Sequence, residues 1–114
     1  AQTTFKFDTR YLENVNALTN SATITVDCAL APIHTVTIAQ AGTQFNFKNL
    51  GTGQTATVVV KQDGTGGHTL DFDSIYKFPD GSAPTITTTA NAVDIVSFIS
   101  DGSNMLGSFV QDVK

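Results

Sequence analysis

Apolar and polar side chains alternate along most of this chain, in short runs that end at glycine, proline, asparagine or aspartate. In ATITVDC the apolar residues Ile24, Val26 and Cys28 share one side, and in HTVTIA Val36 and Ile38 do the same. A period of two residues places such side chains on one face of a β-strand. About eight runs, with turn residues roughly every ten positions, predict an all-β fold: an antiparallel, jelly-roll-like β-sandwich.

The composition favours the same fold class and also indicates association. Val, Ile and Thr, whose branched side chains suit a pleated sheet, supply 35 of the 114 residues, and only 14% of the residues are charged. Sheet edges with so little charge are poorly protected against pairing, so we expect an obligate oligomer. No linker or charge block divides the chain, which predicts a sandwich domain over residues 21–114 after an N-terminal arm over residues 1–20.

Charge and cysteine content exclude several classes of function. The net charge is −4 with no basic cluster, which argues against binding to nucleic acid or to an anionic membrane surface. No apolar run approaches the roughly 20 residues that a membrane-spanning helix needs. Cys28 is the single cysteine of the sequence, so an intrachain disulfide is impossible, and its position on an apolar strand face predicts a small buried side chain.

The segment QDGTGGHTLDF, residues 62 to 72, raises the question of a phosphate-binding loop. A P-loop lies between a strand and a helix and ends in Gly-Lys-Ser or Gly-Lys-Thr. Here no lysine follows the glycines, and HTLDF alternates like another strand. We therefore predict that residues 63–67 form a five-residue hairpin loop.

No group of residues in the sequence predicts catalysis, a cofactor or a metal site. Asp71 and Asp73 share one strand face, and two outward carboxylates could hold calcium, but a solvated face is the simpler interpretation. His34 and His68 are far apart, which favours surface or packing roles over a pair of metal ligands. No serine has the context of a nucleophile. We therefore expect a protein that is not an enzyme.

The second half of the chain resembles the terminal module of tailed-bacteriophage virion proteins, which is common in tail fibres. The resemblance rests on four motifs, QDGTGG, FPDGSAPT, TANAVD and SDGSN, at residues 62–67, 78–85, 89–94 and 100–104. With the strands before them, the resemblance covers roughly residues 20–114. Many members of the family carry an aromatic residue, often tryptophan, at the positions of residues 68–73 and of the final hairpin, and this chain has no tryptophan.

The resemblance implies a virion structural protein that forms a homotrimer, on the capsid surface or on a tail appendage. A tail fibre usually has a shaft before this module, whereas only about 20 residues precede it here. This difference favours a capsid decoration (cement) protein that stabilises the shell by binding the assembled lattice. The partners would then be other copies of the chain and the major capsid protein, and the residues expected to contact the capsid or a neighbouring subunit are Phe5, Phe7, Tyr11 and Leu12.

The alternative prediction is a tail-fibre or receptor-binding tip that contacts the host surface, with tail proteins as partners. A sugar-binding site favours exposed aromatic rings beside Asp or Asn at loop tips, and the candidates for such contacts are Asp63, Tyr76 and Asn104. A third possibility, which the sequence leaves open, is a carbohydrate-binding or adhesion module of another β-sandwich family.

Overall fold

The structure, a computed structural model, describes residues 14–114. It is all-β: a single short 3-10 turn, Pro79–Gly81, is the one helical element within this range. No helix in the described range has the length and hydropathy to cross a bilayer. The nine strands are β1 Val15–Ala17, β2 Thr23–Asp27, β3 Ile33–Ile38, β4 Thr43–Lys48, β5 Thr55–Gln62, β6 Leu70–Asp71, β7 Tyr76–Lys77, β8 Val93–Ser100 and β9 Met105–Val110.

The first six strands alternate between two sheets. β1, β3 and β5 pair in parallel in one sheet, and β2, β4 and β6 pair in parallel in the other. Val15 therefore lies beside Ile33, and Ile33 lies beside Thr57. The first sheet is extended to six strands, in the order β1-β3-β5-β8-β9-β7, because β8 pairs with β5 and β9 with β8, both antiparallel. We call the two sheets the six-stranded and the three-stranded sheet.

The all-β prediction is confirmed, but the predicted antiparallel, jelly-roll-like arrangement is wrong for most of the strand pairs. Five of the seven pairings are parallel, and a jelly roll is built from antiparallel strands. Neighbouring parallel strands need a long crossover connection. Here the crossover between β3 and β5 is β4, a strand of the opposite sheet. The alternation of side chains predicts which face of a strand is buried, but it carries no information about this path.

The segment at residues 63–67 is likewise not a hairpin loop. β5 before it belongs to the six-stranded sheet, whereas β6 after it belongs to the three-stranded sheet. The glycines turn the chain from one sheet to the other.

The segment at residues 101–104 does form a hairpin, between β8 and β9. The Asp101 carboxylate accepts hydrogen bonds from the backbone N–H groups of Asn104, at 2.7 Å, and Ser103, at 2.9 Å. These bonds, that of Asn104 first, hold the pKa of Asp101 below its ordinary value of 3.8.

The two sheets share one hydrophobic core. Ile24 and Val26 of the three-stranded sheet belong to the same buried cluster as Val36, Val58 and Val96 of the six-stranded sheet. These inward positions are the ones that the alternation predicts. Cys28 is also buried, as expected, and desolvation raises the pKa of its thiol.

One end of the core is filled by aromatic rings around Phe98, which is only 2% exposed. The ring centroids of Phe47, Phe72, Tyr76 and Phe78 lie 5.3 to 6.2 Å from that of Phe98, in edge-on or tilted contacts. Contacts of this geometry add about 0.5–1.5 kcal/mol each beyond the burial of apolar area. The aromatic cluster is therefore a main source of stability for the β7–β9 end of the molecule.

Of the predicted N-terminal arm, residues 15–17 form the edge strand β1, which is parallel to β3. The four predicted contact residues Phe5, Phe7, Tyr11 and Leu12 lie outside the described residues.

Candidate functional site: a groove beside the loop motifs

Tyr76 does not lie at a loop tip. It is in β7, is 8% exposed, and its hydroxyl donates a hydrogen bond to the Phe45 carbonyl at 3.1 Å. Burial, and secondarily the nearby Asp73 carboxylate, raise the pKa of Tyr76 to about 12. The ring is part of the aromatic cluster because the hydroxyl finds an acceptor inside the core.

Asp63 lies in the loop after β5, where its carboxylate organises that loop. One oxygen, Oδ1, accepts hydrogen bonds from the N–H groups of Gly66, at 3.0 Å, and Thr65, at 2.9 Å, and contacts His68 Nε2 at 2.9 Å. These contacts, the Gly66 N–H first, lower the pKa of Asp63. Oδ1 of Asp63 is therefore engaged within the loop.

Asn104 lies at the other end of the molecule. β5 and β8 run antiparallel, with Thr55 beside Ile99 at one end and Lys61 beside Val93 at the other. Asn104 follows the first end of this ladder and Asp63 follows the second. The structure therefore separates Asp63 from Asn104, whereas Asn104 lies close to Tyr76, because the next residue, Met105, pairs with Tyr76.

Two of the motifs that carry the family resemblance do meet. In QDGTGG and TANAVD, the Asn91 N–H donates to the Asp63 carbonyl and the Gln62 N–H donates to the Ala92 carbonyl, each at 2.9 Å. Two segments far apart in sequence thus form one loop layer at the end of β5 and the start of β8.

Buried polar side chains that are not among the residues predicted from the sequence hold this loop layer together. Gln62 is 4% exposed; its Nε2 donates to the carbonyls of His68, at 2.8 Å, and Thr87, at 3.0 Å. The Asp94 carboxylate accepts from the N–H groups of Thr87, at 2.7 Å, and Asp112, at 2.8 Å. The sequence does contain a signal for these two roles: Gln62 and Asp94 are polar residues at inward positions of apolar strands, and such a residue must be hydrogen-bonded.

The two histidines have separate roles. His34 is fully buried in β3, with Nδ1 3.2 Å from the Asn16 side-chain nitrogen, and its Nε2 has no hydrogen-bond partner among residues 14–114. Desolvation lowers the pKa of His34 and favours the neutral ring.

No group of three His, Cys, Asp or Glu side chains within the described range is arranged to hold a metal ion.

A groove runs beside the loop layer, between residues 69–72 and residues 83–86, and encloses about 410 Å³. A second hollow of about 340 Å³ continues it, and Phe72 and Ala83 line both. We call the two together the 69–86 groove. Asp71 and Asp73 are exposed, and each lines one of the hollows, whereas Phe72 is half-buried between them. The groove therefore offers carboxylate acceptors on both sides of an aromatic ring.

A third carboxylate, that of Asp27, accepts hydrogen bonds from nearby N–H groups, as those of Asp63 and Asp101 do. It accepts hydrogen bonds from the Asn49 side-chain amide, at 2.7 Å, and the Ala29 N–H, at 3.0 Å, and these lower its pKa.

We expect acid to destabilise the fold through these three carboxylates. Because their folded pKa values lie below the ordinary 3.8, their contribution is complete above that pH and disappears as the pH falls through the folded values. A D63N/D101N variant should therefore be less stable than the wild type at about pH 6, and this difference should shrink towards about pH 2.5. Urea midpoints across this range measure it; a constant difference would show that the two carboxylates contribute nothing through their charge.

Comparisons with known proteins agree with the motif resemblance. Residues 11–105, well over half of the chain, match the model of a family described as "Putative phage tail fibre C-terminal domain". A comparison with curated proteins and one with solved structures gave no match. The match confirms the resemblance to a tail-fibre terminal module, and its range includes the loop layer and the 69–86 groove. The chain therefore belongs to this family of phage tail fibre C-terminal domains and is a phage structural protein.

Proposed function

We propose that this chain is the end of a tail fibre, on a tail appendage of the virion, and that it contacts the host surface. The family match over residues 11–105 is the observation that carries the proposal. It favours the alternative prediction of the sequence analysis over the first one, a capsid decoration protein, for which the match offers no support. The module works by binding and not by catalysis.

Within this proposal, the 69–86 groove is the contact site and a surface carbohydrate of the host is the ligand. Sugar hydroxyls donate hydrogen bonds, and charge-assisted bonds to the exposed carboxylates of Asp71 and Asp73 would be stronger than bonds to neutral acceptors. The apolar C–H face of a sugar ring can pack on an aromatic side chain, and Phe72 lies between the two hollows. Binding sites commonly combine an apolar surface with a few polar groups that fix orientation.

We further propose that the two sheets of the module form a β-sandwich and that the module acts as a homotrimer. The shared core of the two sheets supports the first statement. The low charge of the chain, 14% of residues, supports association, and the family resemblance suggests three copies. Three grooves on one particle would strengthen attachment by multivalency even if each contact is weak.

Binding of the labelled full-length chain to host cells tests this function. We expect saturable binding that a D71N/D73N variant weakens at least about tenfold, because neutral acceptors form weaker hydrogen bonds than carboxylates. The matched control is D27N, which removes a carboxylate on β2, at the opposite edge of the three-stranded sheet from β6 and Asp71, and should bind like the wild type. Absence of binding by the wild type would contradict the proposal, and equal binding by D71N/D73N would exclude the groove.

A further inference from the structure

The six-stranded sheet has one face in the core, and its other face, which we call the outer face, is unusually apolar. Outward side chains form rows across the strands: Thr35, Val59, Ile95 and Val110 are neighbours in one row. Across the six strands, two charged residues lie at outward positions: Lys61, near the end of β5, and Lys77 on β7, which pairs with Leu106.

Large aliphatic side chains on this outer face are exposed. Val15 is 59% exposed, Val110 58%, Ile99 43% and Leu106 42%. Ile99 and Leu106 are neighbours on β8 and β9 and line a shallow depression of about 440 Å³. Exposed apolar side chains gathered on one sheet face in this way mark interaction sites in soluble proteins.

Polar groups on the outer face would lose little on burial. The hydroxyls of Thr57 and Ser97, which are neighbours on β5 and β8, lie 3.1 Å apart and form a hydrogen bond with each other. Polar groups that are already paired can be removed from water at a lower cost than unpaired ones.

The outward face of the three-stranded sheet is quite different. Its exposed or half-buried residues are polar or charged, with Thr25 beside Asn46 and Asp27 beside Lys48. This is the pattern of a sheet face that stays in water. The apolar outer face is therefore a property of one sheet and not of the whole surface.

The size of the outer face suits a stable contact. With strands about 4.8 Å apart and a rise of about 3.4 Å per residue, six strands cover a flat area of roughly 500 Å². Side chains standing on this area increase the accessible surface towards the ~800 Å² that each partner buries in a standard interface.

We propose that the outer face of the six-stranded sheet is the surface through which copies of this chain associate. The occupant is another copy because an almost uncharged face can meet an identical molecule without like-charge repulsion, whereas a charged partner would find no complementary charge there. The proposal deepens the proposed function and rests on it, since it supplies the contact that holds the fibre end together.

Sedimentation velocity of the full chain tests the proposal. The wild type should sediment as an assembly of several 12.0 kDa chains. An I99D/L106D variant, with two charges at neighbouring outward positions, should sediment at 12.0 kDa, with self-association weakened at least about 100-fold. The matched control is T25D/N46D, which adds the same two charges at neighbouring positions of the three-stranded sheet and should assemble like the wild type.

An I99T/L106T variant covers the case in which the aspartates prevent folding, because threonine suits a strand and shortens the apolar side chains without adding charge. We expect it to weaken association about tenfold with an unchanged circular dichroism spectrum. A wild type that stays monomeric at about 100 µM, or face variants that assemble normally, would overturn the proposal. Host-cell binding of the same samples separates the two ideas: a monomer that binds cells leaves the proposed host contact standing, and an assembly that binds no cells contradicts that host contact alone.

Discussion

Replacing Phe98 by alanine is expected to lower the free energy of unfolding by about 4 kcal/mol. Phe98 is 2% exposed and contacts four other aromatic rings, so its removal loses buried apolar area and leaves a cavity that rigid neighbours cannot fill. Urea unfolding measures the change, with both proteins at the same concentration because association adds to apparent stability.

Phe109 provides the control for this prediction. It belongs to the same aromatic cluster through Phe78, with ring centroids 6.3 Å apart, but it is 36% exposed. F109A should therefore cost only about 1 kcal/mol, since water already reaches the ring. Equal losses for F98A and F109A would show that Phe98 is not the centre of the cluster.

Replacing Gly66 by alanine is expected to cost about 3 kcal/mol or more. Gly66 has φ +73°, where a side chain is strained, and an added Cβ would lie 2.6 Å from the Thr88 carbonyl oxygen and 2.7 Å from the Ala90 nitrogen. Both atoms are backbone, so the loop layer would have to separate to admit a methyl group. The QDGTGG motif thus has a glycine at this position because another chain segment packs directly against it.

A substitution at the neighbouring Gly67 distinguishes backbone strain from steric clash. Gly67 has φ +79°, but an added Cβ would meet nothing within 4 Å. G67A should therefore cost only the backbone strain, about 1–2 kcal/mol. Thermal and urea unfolding of G66A and G67A compare the cost of the steric clash with the cost of backbone strain. A G66A variant no less stable than G67A would rule out the close packing of the two motifs.

The sequence predicts the faces of the strands well and their partners poorly. Alternation places Ile24, Val26, Val36 and Ile38 inward, and all four are buried. It cannot show that the chain crosses to the other sheet after each strand, because a residue's face and its pairing partner are independent properties. The 101–104 hairpin can be predicted from the sequence, because its turn and its two paired strands lie next to one another along the chain.

The candidate site could be predicted less well, for reasons that differ between residues. The sequence places Tyr76 among turn signals, where a tyrosine resembles an exposed loop residue, and only tertiary packing brings the Phe45 carbonyl to its hydroxyl. The paired position of Asp71 and Asp73 was visible in the sequence. The opposite wall of the groove, residues 83–86, comes from a segment whose path depends on the Asp94 and Gln62 hydrogen bonds.

The proposed function depends most directly on where the chain lies in the virion. Gold-labelled antibodies against the purified protein, viewed on intact particles by electron microscopy, test this. We predict labelling at the ends of tail fibres and none over the head. Label distributed over the capsid, with bare tails, would contradict the account and restore the capsid decoration protein as the better description.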